Sequence, residues 1–112
     1  MLFAVTFQDA PVRLSVREQY MSAHIEWLTK NADVVKVAGS LRPKPDAAPE
    51  GALWIVEADT VEQVETLVAT DPFTLHGLRS GWAIRHWSKA FPEILTPICP
   101  TRCWKEHSKP SA

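Results

Sequence analysis

The strongest constraint on the fold is a pair of strand-like stretches that are apolar on both sides. In Ala52–Ala58, Leu53 and Ile55 point one way and Trp54 and Val56 the other. In Trp82–Ser88, Trp82 and Ile84 oppose Ala83 and Trp87. Side chains of a strand alternate between the two faces of its sheet, so a sheet built from these strands needs cover on both faces. One layer of helices hides only one of them. The chain's own C-terminal segment or a second copy must hide the other. A homodimer with sheets packed face to face is the favoured reading, because a bare apolar row usually marks a partner surface.

The other elements follow in order. Leu2–Phe7 alternates as a strand, with Phe3, Val5 and Phe7 on one side. Pro11 suits the first turn of a helix that runs to about Asn31. Leu14, Met21, Ile25 and Leu28 recur at helical spacing and should form its buried stripe. Ser15 and Glu18 have capping-box spacing, which would start the helix later, but Leu14 already fits the stripe. Val34–Leu41 is a second strand. Arg42–Gly51 holds three prolines and a glycine and is a loop, equally suited to a plain hairpin connection or to a lid. After Ala52–Ala58, Thr60 and Gln63 have capping-box spacing for a second helix, Val61–Thr70, buried through Val61, Val64, Leu67 and Val68. Asp71-Pro72 stops that helix. Thr74–Ser80 is a turn or short helical piece before the last strand.

The resulting order, β-α-β-β-α-β, predicts an α+β ferredoxin-like domain: a four-stranded antiparallel sheet with two helices on one face. It should span residues 1–91. Residues 92–112, with Pro92, Pro97, Pro100 and Pro110, form a Pro-rich C-terminal extension.

Composition excludes several functions. Twelve basic and 13 acidic residues give a formal charge of -1, without the basic stripe a nucleic-acid partner needs. The apolar runs are too short to cross a bilayer. The N-terminal Met1–Phe7 lacks a basic n-region and reads as a strand rather than a signal peptide. Two cysteines make no disulfide framework, so a reducing, cytoplasmic setting is expected. Cys99, Cys103 and His107 stand at four-residue steps, which on a helix would suggest zinc. Pro97 and Pro100 oppose a helix there and a fourth ligand is missing, so no metal is expected. With no Gly-rich phosphate cradle and no Ser-centred nucleophile motif, neither a bound cofactor nor a covalent mechanism is expected.

His24 is the residue with chemistry to offer. It falls inside the apolar stripe of the first helix, aimed at the interior, and its ring can change charge near neutral pH. From the residues alone, a histidine satisfied by a backbone carbonyl or water at a helix–sheet interface is the commoner case. The other is a general acid or base. Arg17, two turns earlier on roughly the same face, suits a substrate carboxylate or phenolate, or equally a surface ion pair. Trp54 and Trp82 are candidates to stack on an aromatic ligand, although core packing is the usual role for tryptophan. His76, in the turn after Asp71-Pro72-Phe73, lies within reach of a pocket rim.

The element order, Ala23-His24-Ile25 with Leu28, Asp71-Pro72-Phe73, the short apolar first strand and the closing Ile84-Arg85-His86-Trp87 together resemble the YciI-like (YCII-related) proteins. The resemblance implies a dimeric α+β barrel and a histidine–aspartate pair in a pocket, which by position are His24 and Asp71; Phe73, close by in the chain, is a candidate to contact the ligand. It implies a small-molecule ligand and, by analogy with characterised members, chemistry on hydroxylated aromatic ring products. Such a pair suits isomerisation, elimination or lactone-type hydrolysis of an acidic substrate. Asp71 also has a purely structural reading, as the cap of the turn that follows it. The chain departs from the family pattern at Gly39-Ser40, where Gly-Pro is frequent, and at Met21, where a basic residue is frequent.

Overall fold

The computed structural model describes residues 1–90, so the proline-rich extension, with Cys99, Cys103 and His107, lies outside the described residues. The elements are β1 (Leu2–Asp9), α1 (Leu14–Lys30), β2 (Val35–Leu41), β3 (Gly51–Glu57), α2 (Val61–Thr70), α3 (Pro72–Leu75) and β4 (Arg79–Trp87). They form one four-stranded sheet in the order β2-β3-β1-β4, antiparallel at every pairing. This is the α+β, ferredoxin-like arrangement that the sequence predicts.

Each boundary has a local cause. Pro11 opens a short 3-10 turn that leads into α1, since its fixed φ suits a first helical turn and its missing N–H is not needed there. Thr60 and Gln63 form the expected capping box: the Gln63 N–H donates to Thr60 Oγ1 at 3.2 Å, and Gln63 Oε1 accepts from the Thr60 N–H at 3.4 Å. Asp71 ends α2 in extended backbone and caps α3. Gly77, at φ 81°, turns the chain out of α3, a conformation that glycine alone adopts freely.

Phe3, Val5 and Phe7 share a face with Ala52, Trp54 and Val56 across the β1–β3 register. That face carries the core, where Val64 and Val68 of α2 are fully buried and Trp27 and Leu28 of α1 pack against the cluster. The opposite face presents Leu2, Ala4 and Thr6 beside Leu53 and Ile55 on one side and Ala83, Arg85 and Trp87 on the other. Among the described residues, both long helices pack on the first face.

Two expectations need correction. The buried residues of α1 are Val16 and His24, whereas Leu14, Met21 and Ile25 are 38 %, 38 % and 53 % exposed. The helix rests on its neighbours through Val16, Tyr20, Trp27 and Leu28, and the flank bearing Met21 and Ile25 opens on to a cavity. The last strand also begins at Arg79 rather than Trp82. A register shift between Gln8 and Asp9 lets Asp9 pair with Arg79 and carries the ladder further.

Candidate functional site

Asp71 is the pivot of the site. It sits between α2 and α3 with Pro72 behind it, and its Oδ1 accepts from the Phe73 N–H at 3.3 Å, which satisfies one orphan donor of α3. The same oxygen lies 2.7 Å from His24 Nδ1, in the middle of α1. Asp71 is 0 % and His24 7 % exposed. With Nδ1 donating to the carboxylate, Nε2 is the nitrogen left to give or take a proton. The imidazole stacks on the Phe73 ring, centroids 4.1 Å apart and planes 15° apart. One short segment, Asp71-Pro72-Phe73, thus fixes both the tautomer and the plane of the histidine.

A second carboxylate joins the site from the end of β1. Asp9 Oδ2 accepts from Arg17 Nη2 at 2.6 Å, and Asp9 Oδ1 from Arg79 Nη1 at 2.7 Å. Arg79 Nη2 approaches Asp71 Oδ2 at 3.9 Å, an ion pair without a hydrogen bond. A chain of ion pairs therefore runs from Arg17 through Asp9 and Arg79 to Asp71, which meets His24. Burial pushes the Arg79 guanidinium below its ordinary value, while its bond to Asp9 and the charges of Asp9 and Asp71 act against that and Arg17 acts with it. The side chain, 1 % exposed, is further held with Cζ 4.5 Å from the centroid of the Phe7 ring, an attraction between cation and ring face.

The cluster forms part of the wall of a cavity of about 220 Å³ between α1 and the β2–β3 end of the sheet, lined by Arg17, Met21, His24, Ile25, Leu28, Ala38, Gly39, Ser40, Arg42, Pro49, Ala52, Trp54 and Arg79. A dry cavity of about 150 Å³ accepts benzene, so this one has room for a substituted six-membered ring. The proline-rich loop joins β2 to β3 as a hairpin and also supplies Arg42 and Pro49 to the wall.

Of the residues singled out from sequence, His24, Arg17 and Trp54 line this cavity. Asp71 and Phe73, both 0 % exposed, stand behind the histidine. His76 stacks face to face on Tyr20, centroids 3.6 Å apart, and does not line the cavity. Trp82 lies away from it, its Nε1 3.5 Å from Glu65 Oε2 of α2. His86 leans on Phe3 at the far end of the sheet. Asp9 and Arg79 went unrecognised in the sequence. One signal for Asp9 was present: it continues the inward parity of Phe3, Val5 and Phe7. No group of His, Cys, Asp and Glu among the described residues has the geometry to hold a metal, and none of the described helices is long and apolar enough to cross a membrane.

The YCII-related domain family matches residues 1–88. The chain belongs to this family. Among solved structures, the YCII-related protein is similar to the 5-chloro-2-hydroxyhydroquinone dehydrochlorinase TftG from Burkholderia phenoliruptrix AC1100, a structure in complex with 2,5-dihydroxybenzoquinone. The two are 28 % identical, with a TM-score of 0.72 over 79 % of this chain and 94 % of that one. It is also similar to protein Atu4242 from Agrobacterium tumefaciens, at 11 % identity and a TM-score of 0.50 over 81 % of this chain and 96 % of that one, a likeness of fold alone. No curated protein sequence matches it.

Proposed function

We propose that this YCII-related protein is a cofactor-free enzyme that uses His24 and Asp71 for general acid–base chemistry on a small hydroxylated aromatic or lactone-like molecule. The observation that carries the reading is the 2.7 Å contact between His24 Nδ1 and Asp71 Oδ1, in a ring that also borders the cavity. In this scheme His24 Nε2 takes a proton from the substrate, or from the water that attacks the carbonyl in lactone hydrolysis, and Asp71 stabilises the imidazolium that results. The proton then goes to the rearranged ring or to the alkoxide released from the opened lactone, and, where chloride leaves as the anion, to solvent. Assistance of this kind contributes about 10²- to 10⁴-fold, which suits elimination, isomerisation or hydrolysis of an already acidic molecule. A dehydrochlorinase of hydroxyhydroquinone among the structural relatives supports that chemical class.

The working unit in this proposal is a homodimer, sheets face to face, because Val37 and Leu41, 38 % and 44 % exposed, share with half-buried Leu53 the face turned away from α1 and α2. The decisive experiment offers 5-chloro-2-hydroxyhydroquinone and a panel of hydroxylated rings and ring lactones to the wild type and to His24→Asn. Turnover by the wild type that His24→Asn loses, with ligand affinity kept within about threefold, is the expected result. Ligand binding without turnover in the wild type would make the protein a binding module instead.

A further inference from the structure

Trp54 of β3 is 1 % exposed, yet its Nε1 has no hydrogen-bond acceptor among the described residues. A buried indole N–H ordinarily has one, and those of Trp27 and Trp82 are given to Thr70 Oγ1 and Glu65 Oε2. Nor is the atom sealed in the interior, as the Nε atoms of Arg17 and Arg79 are. Trp54 borders the cavity beside His24, so its N–H opens there. The rest of the indole is already engaged. Trp27 stacks on it, centroids 5.1 Å apart and planes 28° apart, and Phe7 meets it at 4.6 Å and 60°. What the side chain has left for a ligand is therefore its N–H edge, rather than the stacking face expected from the sequence.

The neighbouring strand leaves that edge clear. A register shift between Val35 and Val37 makes Lys36 the extra residue of a bulge and reverses the parity of β2. Val35 pairs with core-facing Val56, but beyond the bulge Ala38 pairs with Trp54 and Ser40 with Ala52, while Val37 and Leu41 turn to the other face. Without the shift Val37 would stand opposite Trp54. Ala38 sets only a methyl group there.

We propose that Trp54 Nε1 determines specificity by donating to a second ligand oxygen, remote from the group that meets His24, so that the cavity selects rings oxygenated at two positions over rings oxygenated at one. The proposal rests on the ligand class above but not on turnover. His24 comes from α1 and Trp54 from the sheet, so a ring between them presents one substituent to each. An indole N–H is a donor only. A carbonyl or hydroxyl oxygen satisfies it, whereas a C–H in the same place leaves it unpaired and displaces the water that could have served it.

The probes are hydroquinone and phenol, both uncharged near neutral pH and differing by one oxygen. By calorimetry the wild type should bind hydroquinone roughly tenfold more tightly, about twofold from its two equivalent hydroxyls and about fivefold from one hydrogen bond. Replacing the Trp54 indole by benzothiophene, with sulfur where the N–H stood, should return the ratio to about twofold. The same replacement at Trp82, away from the cavity, should leave it unchanged. Where the Trp54 replacement fails to fold, Ala38→Leu, at an exposed position, should cover the N–H and lower the ratio likewise. In isotope-labelled wild type, saturating hydroquinone should slow exchange of the Trp54 N–H with water about tenfold or more and leave that of Trp27 within about twofold. A wild-type ratio of about twofold or less, no binding of hydroquinone, a ratio that survives loss of the N–H, or unchanged Trp54 exchange overturns the assignment. If His24→Asn loses turnover while the Trp54 replacement keeps the full ratio, the donor role falls and the acid–base reading stands. A ratio that depends on Trp54 in a protein without turnover is the reverse result.

Discussion

Asp9 and Arg79, 70 residues apart in the chain, meet at 2.7 Å with both side chains about 1 % exposed. Ionic groups so deep in a small core survive only as a set, because a lone buried charge costs several kcal/mol. Asp9→Ala should therefore destabilise the fold by about 3–5 kcal/mol, since it leaves two guanidiniums facing each other without their shared anion. Urea unfolding measures this. A loss below about 1 kcal/mol would mean that water reaches the cluster.

Asp71 combines two duties that different substitutions separate. Its Oδ1 caps α3 through the Phe73 N–H and also holds His24. Asn keeps an oxygen that can accept from the backbone but loses the charge that stabilises an imidazolium. Ala loses both. Asp71→Asn should cut turnover at least about 10²-fold with a small change in melting temperature, and Asp71→Ala should in addition lose about 1 kcal/mol of stability from the cap. Kinetics and thermal melts on the same samples check the split.

The fold was largely legible in the sequence because its boundaries are set by local chemistry. The Thr60 and Gln63 cap, Pro11 at the entry to α1 and Pro72 after α2 each act within a few residues, and the structure has an element boundary at each. The site was only partly legible. The pattern placed His24 on an inward face, yet Met21 and Ile25 were read as core when they line a cavity. A wall that awaits a ligand and a wall that packs on a neighbour have the same apolar composition. Arg79 depends on a register shift at Gln8 and Asp9, a feature of how two strands pair that neither strand announces alone.

Thr60→Ala should cost about 1 kcal/mol by removing the side-chain acceptor for the Gln63 N–H. The lost cap is at the start of α2, at the opposite end from Asp71, so affinity for 2,5-dihydroxybenzoquinone should not change. Chemical denaturation paired with a binding titration tests both halves, and a parallel fall in affinity would show that α2 transmits strain to the site.

Gly51 pairs with Gln8 across the β1–β3 ladder, and a Cβ added there would stand 2.0 Å from the Phe7 carbonyl oxygen. No backbone tolerates that approach, so Gly51→Ala must push β1 and β3 apart. The neighbouring bond from the Asp9 N–H to Glu50 O, 2.8 Å, is the first to suffer, and with it the placement of Asp9. The expected result is overpacking damage of about 1–3 kcal/mol or more, together with weaker binding of 2,5-dihydroxybenzoquinone than by the wild type. A variant with wild-type stability would show that the strands have slack at this point.

The proposed dimer makes the last prediction. Leu53 and Ile55 face away from the helices and lie beside Ala4 and Thr6 in the ladder, and Val37 pairs with Ile55 on the β2 side. A charge at Leu53 would be harmless on a solvated face and intolerable in a sheet-to-sheet interface, where it would be desolvated without a partner. Analytical ultracentrifugation of the wild type should therefore give twice the 12.6 kDa chain mass, and Leu53→Asp should shift it toward the monomer. Arg85, paired with Ala4 on the same face, sharpens the test: two copies would bring like charges into one interface unless each finds a carboxylate. A wild type that sediments as a monomer would assign the cover of this face to something other than a second copy, and the site between α1 and the sheet would then work within a single chain.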